Sequence, residues 1–222
     1  MEYVPSKENI AKRIARFFKD GDVVNLGIGL PTLVGNYIPE GVTVLLQSEN
    51  GFLGLGPAPE KNEEDSALVN AGGACVTIQP GGAFFDSATS FAIIRGGHLD
   101  ATVLGVLEVD QEGNLANYKV PGKLVPGMGG AMDLTVGAKK VFAATQHFDN
   151  NGGSKLLRKC ALPLTAQNQV DYVCTDLGFF KVENRTFVLL EYFKPYTVDF
   201  ILSKTNADVI LDKDCKEIDL SA

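Results

Sequence analysis

The sequence has no tryptophan and only two histidines, His98 and His147, which stand far apart. A zinc site draws on several closely spaced nitrogen or sulfur ligands, so this set offers none of the common metal motifs, and no metal is expected. Only four cysteines occur (Cys75, Cys160, Cys174 and Cys215), and none forms a C-x-x-C pair. They read as reduced thiols of a cytoplasmic protein rather than as a disulfide framework. Positive charge is scarce too: 20 Lys and Arg stand against 27 Asp and Glu, for a net charge of −7. A broad basic face is therefore missing, which argues against nucleic acid and against an anionic membrane as partners. A local phosphate pocket is still open to Lys119, Lys123, Lys139, Lys140 and Arg95. No apolar run approaches the roughly 20 residues of a membrane-spanning helix, and the N-terminal segment has no continuous apolar stretch of the kind a secretory signal needs.

What is present is an ordinary globular composition, 45% apolar and 21% charged over 222 residues, read as a single domain spanning 1–222. Ser6 can cap a first helix over 6–20, with Ile10, Ile14, Phe17 and Phe18 as its apolar stripe and Gly21 as its stop. A short strand is predicted at 23–26, a short helix at 32–37 and a second strand at 42–46. Further apolar runs recur at 76–78, 101–107, 141–144, 172–174 and 187–190, with helices predicted at 87–95 and 164–170. This alternation predicts an α/β fold with an open, largely parallel or mixed sheet flanked by helices. The Gly- and Pro-dense segment 113–137 reads as a long loop, and such loops usually carry function.

Glu49 is the sharpest chemical feature. It follows the second strand directly, in a turn whose Asn50-Gly51 pair tolerates positive φ. Ligands of open α/β sheets bind at the carboxyl ends of strands, where a carboxylate can act as base or nucleophile; a solvated turn glutamate is the competing reading. Gly27-Ile28-Gly29 begins like a dinucleotide fingerprint, but Thr32 stands at the third glycine position and Pro31 interrupts the helix. Gly127-Met128-Gly129-Gly130 offers backbone N–H groups for an anion or oxyanion, or is a plain turn. His98 reads as structural and Cys75 as an inert core thiol.

Leu46-Gln47-Ser48-Glu49-Asn50-Gly51-Phe52-Leu53-Gly54 resembles the signature of the β subunit of class I, 3-oxoacid-type CoA transferases. Residues 25–32 (NLGIGLPT), 70–73 (NAGG), 91–100 (FAIIRGGHLD) and 121–134 (PGKLVPGMGGAMDL) are also similar to that family, in its order. The likeness runs from about residue 8 to residue 178, with Tyr118 in place of an expected Trp and a poorly matched tail from Val188. The resemblance implies the class I CoA-transferase fold, and Glu49 as the nucleophile that becomes a glutamyl–CoA thioester in a ping-pong cycle. Gly130 would supply the oxyanion-binding amide. Asn50, Gly51, Gly54, Gly56 and Gly129 would line the substrate and CoA site, with Gly54 to Pro59 as a wall for the pantetheine arm. No permanent cofactor is implied; coenzyme A is a co-substrate, exchanged between an acyl-CoA and a short-chain carboxylate such as acetoacetate, acetate, butyrate or succinate. A separate α subunit is implied as well, in an α2β2 heterotetramer. An acyl-CoA hydrolase, a nicotinamide-dependent oxidoreductase and a non-catalytic subunit are the alternatives.

Overall fold

The structure, a computed structural model, describes residue 4 and residues 6–122, 125 and 127–220. The first half contains α1 (Lys7–Ala15), β1 (Val23–Leu26), a 3-10 segment (Leu30–Tyr37), β2 (Leu45–Ser48), β3 (Phe52–Leu55), β4 (Ile78–Phe84) and α2 (Ser87–Arg95). The middle holds β5 (Ala101–Gly105), β6 (Glu108–Asp110), β7 (Leu115–Ala116), α3 (Ala131–Gly137), β8 (Val141–Ala144) and β9 (Leu156–Leu157). Last come β10 (Tyr172–Cys174), β11 (Gly178–Glu183), β12 (Thr186–Tyr192), α4 (Val198–Lys204) and β13 (Val209–Glu217).

Ten strands form one sheet in the order β13-β12-β11-β10-β8-β5-β1-β2-β3-β4. The five central strands, β10 to β2 in that order, are mutually parallel. Antiparallel pairs flank them on both sides, β2–β3–β4 at one end and β10–β11–β12 at the other. All four residues of β8, and all but the last of β5, are buried, as expected of parallel strands covered on both faces. Strands β7, β6 and β9 make a small second sheet. The predicted α/β class with a mixed sheet is what the chain adopts.

Local chemistry explains several boundaries. Ser6 caps α1 by accepting the Asn9 N–H, and Asp86 caps α2 by accepting the Thr89 N–H at 2.7 Å. Helix α1 ends at Ala15 rather than near residue 20. Phe17 and Phe18 bond back three residues to Ile14 and Ala15, and the Phe17 ring turns into an aromatic cluster, 4.9 Å from both Phe142 and Tyr172. Tyr172 stacks in turn on Phe179 at 5.5 Å. Core packing there outweighs continuing the helix.

Residues 164–170 are irregular, not helical. Their backbone groups are taken by a distant segment: the Thr165 N–H donates to the Leu115 carbonyl, the Val170 N–H to the Gly113 carbonyl and the Asn168 N–H to Asn114 Oδ1. Segment 113–137 is not one loop, since it contains β7 and α3. Strand β2 starts at Leu45, later than expected, and β4 runs on through Pro80 and two glycines, which the sheet tolerates because β4 is an edge. Cys75 is half-buried and bridges Val69 instead of lying in the core. The tail supplies α4 and the edge strand β13. Tyr196, just ahead of α4, holds the start of the chain, its hydroxyl accepting from the Val4 N–H at 2.8 Å.

Candidate active site at the end of the second strand

Glu49 is the first residue after β2 and is half-buried. Its strand is fixed from below by a buried polar chain. Asn25 on β1 donates through Nδ2 to Gln47 Oε1 at 2.8 Å, and Gln47 Nε2 donates to Ser90 Oγ on α2 at 2.9 Å. Asn25, Gln47 and Ser90 are 3%, 2% and 0% exposed, so these bonds are shielded from water and costly to lose. They tie β1, β2 and α2 into one frame.

The turn itself is clamped from the side. Ser48 Oγ donates to Asn50 Oδ1 at 2.6 Å and accepts the Ala71 N–H at 3.2 Å. Asn50 Nδ2 donates to the Val69 carbonyl at 2.7 Å. The NAGG segment is thereby brought against the SENG turn. Gly51 has φ +129°, and a Cβ there would lie 2.2 Å from the Phe85 carbonyl oxygen. Only glycine fits, and this contact couples the turn to the residues that cap α2.

On its open side Glu49 meets the GMGG segment. The Gly130 N–H donates to Glu49 Oε1 at 3.3 Å. A Cβ at Gly130 would sit 2.6 Å from Glu49 Oε2 and 3.2 Å from Cζ of Phe91, so the carboxylate rests against bare backbone. A Cβ at Gly129 would stand 3.5 Å from Glu49 Oε1. Glu49, Asn50, Gly51, Gly129 and Gly130 thus form one constellation. Gly54 and Gly56 lie along and beyond β3, where their missing side chains make room for Gly82 and for Thr77 Oγ1 respectively.

Several cations singled out in the sequence go elsewhere. Lys139 pairs with Asp100 at 2.8 Å, Arg95 pairs with Asp133 at 2.7 Å, and the Lys140 ammonium lies 4.8 Å from the Phe17 ring centre. Lys119 is exposed, and Lys123 lies outside the described residues. Lys139 and Lys140 precede β8 and so stand at the amino ends of the parallel strands, away from Glu49; Arg95, Lys139 and Lys140 are each engaged by other side chains and not by one shared pocket. His98 is exposed beyond the end of α2. His147 is fully buried, with Nδ1 3.1 Å from Thr175 Oγ1 and Nε2 3.2 Å from Thr205 Oγ1. All four cysteines are free thiols, and burial pushes the thiol pKa values of Cys160 and Cys174 up. The Gly27-Ile28-Gly29 turn leads into a 3-10 segment, not the long helix on whose N-terminus a dinucleotide pyrophosphate would rest. Among the described residues no group of three or more His, Cys, Asp or Glu gathers as a metal site, and no helix is long and apolar enough to cross a membrane.

Sequence reasoning gave no role to Gln47, Ser90 or Phe91. The available signal was Asn25 and Gln47, two amides inside otherwise apolar strands; such groups need partners when buried.

Residues 7–204 match the coenzyme A transferase family. The chain is 56% identical over 216 residues to the β subunit of the acetate CoA-transferase of Haemophilus influenzae, covering 97% of this chain and 96% of that one. It is 49% identical over 203 residues to one subunit of the probable succinyl-CoA:3-ketoacid coenzyme A transferase of Bacillus subtilis, covering 91% and 94%. The apoenzyme of an acyl-CoA transferase from Escherichia coli O157:H7 shares the fold, with a TM-score of 0.75 at 21% identity over 99% of this chain and 44% of that one. Likeness of this extent along nearly the whole length of both relatives establishes that the chain belongs to the coenzyme A transferase family, as a β subunit of the class I type.

Proposed function

We propose that this CoA transferase works through a glutamyl–CoA thioester on Glu49. The observation that carries the reading is the Gly130 N–H on Glu49 Oε1 at 3.3 Å, with no side chain between them. A Glu49 oxygen attacks the thioester carbonyl of an acyl-CoA, the C–S bond breaks, and CoA leaves as thiolate from a mixed anhydride. The thiolate then attacks Cδ of Glu49. The bond from Cδ to the bridging oxygen breaks, the first acid departs as its carboxylate, and the glutamyl thioester remains. A second carboxylate reverses the sequence.

When the thiolate adds to Cδ, negative charge develops on a Glu49 oxygen. A preorganised amide aimed at that oxygen stabilises the charge without reorganising, an effect commonly worth 10²–10³-fold in rate. The clamps on Ser48, Asn50 and Gly51 keep the Glu49 side chain in place through both half-reactions. The buried Phe52, which follows the turn, helps keep water from an anhydride that would otherwise hydrolyse.

The substrates that fit the names of the relatives are acetoacetate, exchanged against acetate or succinate, with butyrate as a further short-chain partner. An α subunit completes the enzyme, in an α2β2 assembly. Asn50, Gly51, Gly54, Gly56 and Gly129 border the acyl-CoA.

The test is intact-mass spectrometry of the chain co-expressed with its partner subunit, after acetoacetyl-CoA and borohydride trapping. The expected result is reduction of the Glu49 thioester to the primary alcohol with release of CoA thiol, a modification mapped to Glu49 and lost in Glu49→Gln. A folded complex that binds acyl-CoA yet shows no reduced side chain at Glu49 removes the covalent mechanism.

A further inference from the structure

The central strand order β2-β1-β5-β8-β10 contains a reversal. From β1 the chain goes to β2 on one side, then returns to lay β5, β8 and β10 on the other. The switch therefore lies between β1 and β5. In open α/β sheets the crevice outside the carboxyl ends of the strands at such a switch is the general ligand site. Glu49 does not occupy it, because Glu49 follows β2.

A cavity of about 290 Å3 does lie there. Ile28 follows β1, Val106 follows β5 and Thr145 follows β8, and all three line it, together with Lys7, Asn117 and Lys155. Thr145 Oγ1 is the acceptor of a 3.0 Å hydrogen bond from Lys155 Nζ. Lys155 is half-buried, and burial pulls its pKa below that of an ordinary lysine; the charge of Lys7 acts in the same direction, while Asp149 and Asp176 oppose it. An ammonium carries three donors, and Lys7 brings a second one with no ion-pair partner among the described residues. Two like charges facing one partly dehydrated space are unfavourable until an anion joins them.

We propose that the switch-point cavity binds an anionic oxygen group, carboxylate or phosphate, of one of the transferase's small-molecule substrates. Lys155 and Lys7 supply the counter-charge, and Thr145 and Asn117 supply neutral hydrogen-bonding groups. The proposal rests on the transferase reading for the identity of the substrates, but not on the covalent role of Glu49. Through Ile28 the cavity borders the NAGG loop, since a Cβ at Gly72 would stand 3.4 Å from the Ile28 side chain. That same loop clamps Ser48, so Ile28 and the NAGG loop link the cavity to the SENG turn.

The experiment is calorimetry on the enzyme assembled with its partner subunit and carrying Glu49→Gln, so that binding is read without turnover. Acetyl-CoA, acetyl-dephospho-CoA and acetoacetate are the probes, with Lys155→Met, Lys155→Arg and Lys7→Gln compared against the parent. Lys155→Met is expected to weaken one probe about tenfold or more, as loss of a charged hydrogen bond does, and Lys7→Gln less. Lys155→Arg should retain most of the affinity. Loss confined to acetoacetate assigns the anion to the acid. Loss for acetyl-CoA alone assigns it to the 3′-phosphate, and equal loss with the dephospho thioester assigns it to the diphosphate. Unchanged affinity for all three probes in assembled variants overturns the cavity site and leaves the transferase reading standing. Failure of the exposed Lys7→Gln variant to assemble, with affinities otherwise intact, gives the cavity to a side chain of the partner and also overturns the proposal. No acetyl-CoA binding by the unsubstituted enzyme overturns both readings.

Discussion

The two ends of the parallel sheet differ in how fully they satisfy charge. At the amino ends, carboxylates close off the strands. Asp100 accepts the Val23 N–H at the start of β1 and pairs with Lys139, and Asp171 accepts the Val141 N–H at the start of β8. At the carboxyl ends, buried Asp176 beyond β10 is likewise satisfied, accepting the His147 N–H, but two other charges keep spare capacity. Glu49 has one long hydrogen bond from Gly130, and Lys155 has a single hydroxyl. A charge that serves the fold is satisfied within the fold, whereas the two charges proposed above to meet a substrate keep capacity for one. The same contrast separates residues whose replacement should lower stability from those whose replacement should lower activity.

The sharpest way to break this contrast is Gly130→Ala. Gly130 has φ −81°, which alanine adopts freely, so its backbone offers no reason to unfold. The new methyl would meet Glu49 Oε2 at 2.6 Å and the ring edge of Phe91 at 3.2 Å. The flexible carboxylate must move away from the amide, so kcat should fall by roughly 10²-fold or more while thermal stability changes little. Gly51→Ala is the control with the opposite signature. There both the positive φ and the 2.2 Å approach to the Phe85 carbonyl oppose a side chain, and folding itself should suffer. Near-normal kcat in a folded Gly130→Ala enzyme would detach the GMGG segment from catalysis.

A smaller effect should separate the two ends by pH. His147, just beyond β8, is held neutral mainly by burial, with its pKa lowered from 6.5 to about 4. Unfolded, the ring titrates near 6.5, so its neutral form contributes stability in full above that pH. The contribution is lost as pH falls from 6.5 toward 4, and by linkage amounts to roughly 2 kcal/mol of lost stability at pH 5. Asp100 behaves differently. Its hydrogen bonds to Lys139 and to Val23 hold its pKa below the ordinary 3.8, so its contribution persists through this window and falls only in stronger acid. Urea unfolding at pH 7 and pH 5 measures the difference. His147→Gln should flatten the slope between them, and an unchanged slope would mean that the ring does not titrate on unfolding in this range.

What could be read from the sequence divides along the range of the forces involved. Helix α2 was legible from 87 to 95 because the interactions that set it are local. Glu49 was legible as a strand-end carboxylate, but it stood out from an ordinary turn only through the company of the other motifs. The end of α1 was misplaced because Phe17 fits a helical stripe, while the partners that pull it aside, Phe142 and Tyr172, come from distant strands. Residues 164–170 look helical by composition, yet 113–115 claims their hydrogen bonds. Of the switch-point cavity the sequence showed only the Gly27-Ile28-Gly29 turn, since Lys7 and Lys155 come to line one space only through the strand order.

The smallest expected effect bears most directly on which end of the sheet recognises anions. Lys139 and Lys140 looked like phosphate ligands in the sequence. Lys139 instead pairs with Asp100 at 2.8 Å, with the two side chains 61% and 30% exposed. An ion pair that open to solvent is worth about 0.5–1 kcal/mol at most, and in Lys139→Met the Asp100 carboxylate still keeps its bond from the Val23 N–H. The variant should therefore lose little stability, bind acyl-CoA with unchanged affinity and turn over normally, although it removes the same charge as Lys155→Met. Affinities measured side by side on the assembled enzyme check this. A tenfold loss in Lys139→Met with none in Lys155→Met would mean that the paired cation, not the open one, faces the ligand, and that a satisfied charge is no guide to structural duty in this sheet.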